Sequence, residues 1–249
     1  MLKVDLHLHT GEDPADRIHH SAFDLIDRAV SLGFDALAIT LHDHQLTDAR
    51  TFDYARERGL VLIPGIERTI QRRHVLMLNF PAGSAERVYT LDEVARLKAR
   101  TGGLVIAPHP YFPSPSCLGR ALDTYVDLFD AVEWSYFWTR GINFNARAAA
   151  WARARGKPVV GNSDLHDIRQ LGRTYSLVDA PADAAAICES IRAGRVELRT
   201  SPVPVPEIVA VFGGMIVRSQ PIAWSRSSNP PCRTSATRSG LSANSPSLP

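Results

Sequence analysis

Over its first 200 residues the chain alternates short apolar runs with segments whose apolar residues recur at helical spacing. Leu2, Val4, Leu6 and Leu8 alternate with Lys3, Asp5, His7 and His9, the period of two that a strand requires. Further apolar runs follow at 34–40, 60–66, 75–78, 104–108, 131–132 and 158–161. Ser21-Ala22-Phe23-Asp24 reads as a capping-box start, with Leu25, Ile26, Ala29 and Leu32 on one face and Gly33 closing the helix. Comparable helices are predicted at 47–58, 91–101, 144–155 and 182–193, each ended by a glycine and followed by an apolar strand. Helices that separate strands are what parallel pairing needs as crossovers. The order predicts an α/β chain built as one closed or nearly closed barrel, with its chemistry at the carboxyl ends of the strands. Residues 203–217 are apolar but broken by Pro204, Pro206 and a glycine pair, which predicts a strand or docking segment at the barrel edge.

The polar residues that end these runs are the candidate chemistry. His7 and His9 share one strand face. His42-Asp43-His44, Glu67, His109, Glu133, Asp164 and His166 each arrive where an apolar run stops, and His74 opens one. A mixture of imidazoles and carboxylates without cysteine suits Zn, Mn or Fe.

Asp5-Leu6-His7-Leu8-His9-Thr10, Ala38-Ile39-Thr40 with His42, Pro64-Gly65-Ile66-Glu67, Pro108-His109-Pro110 and Gly161-Asn162-Ser163-Asp164-Leu165-His166 occur in that order. Together they resemble the motifs of the PHP (polymerase and histidinol phosphatase) family over roughly residues 1–200. The resemblance implies a distorted TIM-like barrel of about seven strand-helix units, two or three divalent ions at its mouth, and phosphate-ester hydrolysis. Carried over by position, it implies a first ion on His7, His9, Glu67 and Asp164. A second would share Glu67 with His74 and His109, and a third would use His42, His166 and a residue of the loop Gly11-Glu12-Asp13-Pro14, with Asp13 the choice over Glu12 and Asp16. Asp164, His166 and Glu67 are assigned to the catalytic centre. The second motif departs from the family's Thr-Asp-His. Its gap-free register selects His42, and a two-residue slip would select Asp43 and His44. Ions so arranged would lower the pKa of a bridging water and present hydroxide for in-line attack on phosphorus.

Arg68, Arg140 and Arg173 lie just after or between the ligand segments and are candidates to hold the phosphate in their planar forks. Glu133 is expected to orient a ligand histidine. The run Trp134, Tyr136, Phe137 and Trp138 is either barrel-rim packing or a wall for a base or sugar. His19 and His20, with no strand behind them, are expected to be exposed loop residues.

Charge narrows the substrate. The 249 residues carry +2, but residues 218–249 hold four arginines and no acid, leaving 24 basic against 26 acidic side chains, or −2, before them. That body offers no groove for long nucleic acid; a small phosphate ester, a nucleotide or a short oligonucleotide fits it better. The domain boundary falls after residue 217, and the Ser-, Pro- and Arg-rich tail at 218–249 is expected to be disordered. Three dispersed cysteines, no secretory leader and no apolar run of ~18 residues point to a reducing cytoplasm and no membrane contact. Two other function classes remain open. An amidohydrolase-like metal hydrolase of carbon–nitrogen bonds would also begin on His-x-His, but wants a lysine at a strand end, where Lys3, Lys98 and Lys157 are not. A non-catalytic docking domain would have no use for so many imidazoles and acids at one rim.

Overall fold

The opening alternation forms β1 (Leu2–Leu8) and the later apolar runs form β2 (Ala36–Ile39), β3 (Val61–Ile70), β4 (Arg73–Leu78), β5 (Leu104–Ala107), β6 (Ala131–Ser135) and β7 (Val159–Asn162); β8 (Thr174–Val178) and β9 (Val196–Thr200) complete the sheet. The structure, a computed structural model, describes residues 1–218. The strands form one sheet in the order β7-β6-β5-β4-β3-β2-β1-β8-β9.

The helices are α1 (Ala22–Ser31), α2 (Ala49–Glu57), α3 (Leu91–Thr101), α4 (Ala121–Thr124), α5 (Asn145–Ala154), α6 (Ala184–Arg192) and α7 (Val205–Arg218). In α1 the capping box forms: Ser21 accepts from the Asp24 amide while Asp24 accepts from Ser21. Leu25, Ile26 and Ala29 are fully buried against Leu8, Leu37 and Ile39. Each buried Leu or Ile contributes roughly 1.5–3 kcal/mol through area removed from water. Leu91, Val94 and Leu97 of α3 pack in the same way on Ile66, Met77 and Val105, and Ile187 and Ile191 of α6 belong to the cluster of Val4, Leu6 and Ile63.

The barrel differs from seven repeated units. Among the described residues the sheet has nine strands, and pairing is antiparallel at β3–β4, β4–β5, β1–β8 and β8–β9. Between β3 and β4 the chain turns on Gln71 and Arg72, both in the left-handed region, as a two-residue hairpin requires. Side chains close the seam between β7 and β1. Asn162 accepts from the Leu6 amide at 3.1 Å and Asp5 accepts from the Ser163 amide at 3.1 Å. The Ser176 hydroxyl of β8 accepts from the Gly161 amide at 2.8 Å.

Residues 203–217, expected as a strand or edge segment, instead enter α7. Pro206 sits in its first turn, where a missing N–H costs nothing. Val203 and Val211 pack against Tyr136 and Phe137. The expected tail lies outside the described residues, except for Arg218 at the end of α7. Among the described residues no helix is long and apolar enough to cross a membrane.

Candidate metal centre

Strand period aims the cluster. Asp5, His7 and His9 share one face of β1 and are fully buried. His7 Nε2 lies 3.4 Å from both Glu67 Oε2 and Asp164 Oδ1; His9 Nε2 lies 3.5 Å from Glu67 and 3.8 Å from Asp164. The other oxygen of Glu67 faces His74 Nδ1 at 2.7 Å and His109 Nε2 at 3.4 Å, while His42 Nε2 approaches Oε2 at 3.2 Å. Glu67 thus stands between five imidazoles. Ligand atoms of His7, His9 and Asp164 lie within 4.8 Å of one another, as do those of His42, Glu67 and His74 and those of His9, His42 and His166. The antiparallel hairpin explains His74: at the start of β4 it comes to the same end of the barrel as the close of β3.

Outer partners hold the rings. Glu133 Oε1 lies 2.9 Å from His7 Nδ1 and accepts from Asn162 Nδ2 at 2.9 Å; Oε2 accepts from the His109 amide at 2.8 Å. Asp13 Oδ2 meets His9 Nδ1 at 2.9 Å and His42 Nδ1 at 3.0 Å. His166 Nδ1 is 3.0 Å from the Asp164 carbonyl oxygen, and His109 Nδ1 is 3.4 Å from Cys117 Sγ. Each outer acceptor keeps the proton on Nδ1, so the Nε2 lone pairs face inward. His109 and Asp164 both have left-handed backbones, strain that these contacts support.

The donor set fits divalent ions. His7 Nε2, His9 Nε2, Glu67 Oε1 and His74 Nδ1 are buried without hydrogen-bond partners. Lone pairs of Nδ1-protonated imidazoles set against carboxylate oxygens repel unless a cation lies between them. In the metal-free chain that cation is a proton. Burial alone would lower His42, but Glu67, Asp13 and Asp16 outweigh it and lift it to about 9; against burial, Asp164, Glu133 and Glu67 drive His7 well above the ordinary range, and Cys117, Glu67 and Asp164 do the same for His109. His9 goes the other way, to about 3, through burial and the neighbouring His42 and His166.

The raised His42 stabilises the metal-free fold fully below its ordinary value of 6.5, and that contribution is lost as pH rises through about 9. Divalent ions displace these protons. The shift in Tm on adding Mn²⁺ is therefore expected to grow from pH 6.5 to about 9, with proton release seen by calorimetry in buffers of different ionisation enthalpy. A pH-independent shift would refute this.

Several expected site residues stand elsewhere. Asp13 is turned behind His9 and His42; Asp16 takes the open position, its Oδ2 3.2 Å from His166 Nε2 and 3.7 Å from His42 Nδ1. Glu12 is spent on the Ala22 amide at the start of α1. His44 is half exposed beside Glu86, and Asp43 pairs with Arg68 and the Thr69 amide, so neither faces the cluster. Arg68 also donates to the Val88 carbonyl, Arg173 pairs with Glu207 at 2.9 Å, and Arg140 lies on a separate surface pocket with Gly141 and Pro202. None of the three arginines reaches the mouth.

His20 is buried, with Nε2 2.9 Å from the His9 carbonyl oxygen, which corrects its expected exposure; His19 is exposed. In the aromatic run, Tyr136 is buried and donates to Glu207, and Phe137 lines the cavity. Phe112, Ser114, Ser116 and Cys117 line it too, without having been singled out in the sequence. They follow His109 in the loop after a barrel strand, the position that builds such mouths.

Known proteins bear on this arrangement. Residues 143–196 match the family model PHP-associated. An uncharacterised protein of Methanocaldococcus jannaschii is 27% identical over 135 residues, covering 51% of this chain and 78% of its own length. A two-domain protein of Bacteroides vulgatus that contains a predicted PHP-like metal-dependent phosphoesterase superposes with a TM-score of 0.63 at 20% identity, over 86% of this chain and 69% of that one. An amidohydrolase of Chromobacterium violaceum does so with a TM-score of 0.57 at 18% identity, over 78% of this chain and 97% of that one. The matched segment and the ordered motifs lie on a fold that this chain shares with these solved structures.

Proposed function

We propose that this chain is a metal-dependent phosphoesterase that hydrolyses a small phosphomonoester, a nucleotide or a short oligonucleotide. The carrying observation is Glu67 among five imidazoles, with Asp164 beside them and buried donor atoms facing inward unpaired. His7, His9, Glu67 and Asp164 would hold one divalent ion, Glu67, His74 and His109 a second, and His42, His166 and Asp16 a third. When bound, such ions supply Lewis acidity and bring the pKa of water toward neutrality. The reaction joins the oxygen of water to phosphorus and breaks the bond to the alcohol, which leaves with a proton.

The cavity over these residues, about 290 Å³, suits a small ester. No Lys or Arg is among its lining residues, so charge neutralisation of the phosphate would fall to ions held by these histidines and carboxylates, and substrate binding should depend weakly on salt. Asp13, Glu133 and the Asp164 carbonyl hold their histidines in the tautomer that presents Nε2.

The relative from Chromobacterium violaceum keeps carbon–nitrogen hydrolysis as the second reading. Against it, Lys3 bonds the Leu32 carbonyl, Lys98 pairs with Asp130, and Lys157 precedes β7 at the end opposite Asp164. None bridges the cluster.

Reconstitution with Mn²⁺, Zn²⁺ or Fe²⁺ and assay on phosphomonoesters, short oligonucleotides and cyclic amides tests both readings. Chelator-sensitive release of phosphate is expected, and turnover of amides alone would overturn it. His42→Ala is expected to lower kcat/KM at least ~tenfold more than His44→Ala, because only His42 faces Glu67. The reverse order would transfer the third site to the slipped register.

A further inference from the structure

We infer that the apolar pocket beside the metal centre is the leaving-group site and selects phosphomonoesters of aromatic or bulky apolar alcohols over those of polyols and sugars. The inference rests on the phosphoesterase reading and supplies its substrate class. The pocket, about 410 Å³, is walled by Phe112, Phe137, Trp138, Ile142, Phe144 and Ile208. It shares Phe112, Ser114 and Phe137 with the cavity over the metal-ligand cluster, so one molecule can place a phosphate in the first and its alcohol in the second.

The chemistry of the walls sets the preference. No Lys, Arg, His, Asp or Glu is among the lining residues. The polar groups that do line it already have partners. Trp138 Nε1 donates to Thr200 Oγ1 at 2.8 Å, Thr139 Oγ1 accepts from the Ile142 amide at 3.0 Å, and Ser114 Oγ lies 2.8 Å from Ser116 Oγ. A polyol entering here would give up hydrogen bonds to water without replacement, at a cost of about 1–3 kcal/mol for each group left unpaired. A ring would lose none. It would lie against Phe112 and Phe144, whose centroids are 5.3 Å apart at 55°, and aromatic groups favour such tilted contacts. Ile142 is 61% and Phe144 39% exposed, apolar rim surface that a bound ring would cover. A second phosphate finds no Lys or Arg among the lining residues of either cavity.

Benzyl phosphate and glycerol phosphate test this on the metal-loaded chain, because both are alkyl esters and differ chiefly in the polarity of the alcohol. Benzyl phosphate is expected to have the higher kcat/KM by ~tenfold or more, the scale on which a hydrophobic pocket discriminates. Benzylphosphonate should bind more tightly than methylphosphonate by a similar factor, with a more negative heat capacity change. Ile142→Ser and Phe144→Ser should raise KM for benzyl phosphate and shrink the benzyl-to-glycerol ratio, and Phe144→Leu should restore part of it. Equal kcat/KM for the two esters would overturn the pocket assignment and leave the phosphoesterase reading standing. If neither ester is turned over while short oligonucleotides are, the pocket assignment fails and the phosphoesterase reading stands; if no phosphate ester is turned over, that reading fails, and equal affinity for the two phosphonates would overturn the apolar site as well.

Discussion

Replacing Glu67 by glutamine is expected to strip the centre of its ions and to lower phosphate release by on the order of 10³-fold, since divalent ions contribute several kcal/mol of charge stabilisation to such reactions. The size of the effect follows from position. Glu67 is the carboxylate shared by His7, His9, His42, His74 and His109, at 2.7 to 3.5 Å, and it is 1% exposed. Burial would raise its pKa, but His74, His7 and His42 hold it well below the ordinary carboxylate range. Glutamine keeps the shape and removes the charge, leaving imidazoles without their common counter-ion. Elemental analysis and kcat/KM give the readout, with circular dichroism to verify folding. In the metal-free state the same change should flatten the fall in Tm between pH 6.5 and about 9, because Glu67 is the first of the carboxylates that lift His42. A folded variant with full ion content and full rate would remove Glu67 from the centre.

Gly161→Ala is expected to destabilise the chain by about 3 kcal/mol through overpacking, which for a protein of this size lowers Tm by roughly 6–12 °C. A Cβ built there would stand 2.6 Å from the Tyr175 carbonyl oxygen and 2.5 Å from Leu198 Cδ1. Leu198 could rotate away; the Tyr175 backbone could not. β7 would then have to move from β8, taking with it Asn162 and Ser163, whose contacts with Leu6 and Asp5 close the seam, and Asp164 just beyond. Ion affinity should fall together with stability. Gly141, where a Cβ meets nothing within 4 Å, is the control and should accept alanine with little change. An alanine at Gly161 that unfolds like the parent chain would contradict the seam.

Much of the fold is written in short-range pattern. The capping box at Ser21 and the helical spacing at Leu91–Thr101 predict helices that form at Ala22–Ser31 and Leu91–Thr101, because caps and periodicity act within a few residues. The β3–β4 hairpin lacked such a signal. Its turn residues, Gln71 and Arg72, are neither Gly nor Asn, yet both adopt the left-handed region, held there by strand pairing on either side. α7 escaped because Pro204, Pro206 and the glycines read as breakers, whereas its packing on Tyr136 and Phe137 outweighs them. Alternation alone places Arg68: next to Glu67 in a strand of period two, it must face the other side.

Taken alone, the sequence determined which residues would stand at strand ends and that imidazoles and carboxylates would gather there, since alternation and helix spacing are properties of neighbouring residues. Only the tertiary structure decided which atom of each faces the cavity. Asp13 and Asp16 are three residues apart in one loop, and the fold turns the first behind His9 and His42 and the second toward His166. Glu133 becomes the partner of His7 across 126 residues, and Asp5 meets Ser163 across 158. Such choices depend on partners that folding brings from distant segments, and no local pattern encodes where those partners will be.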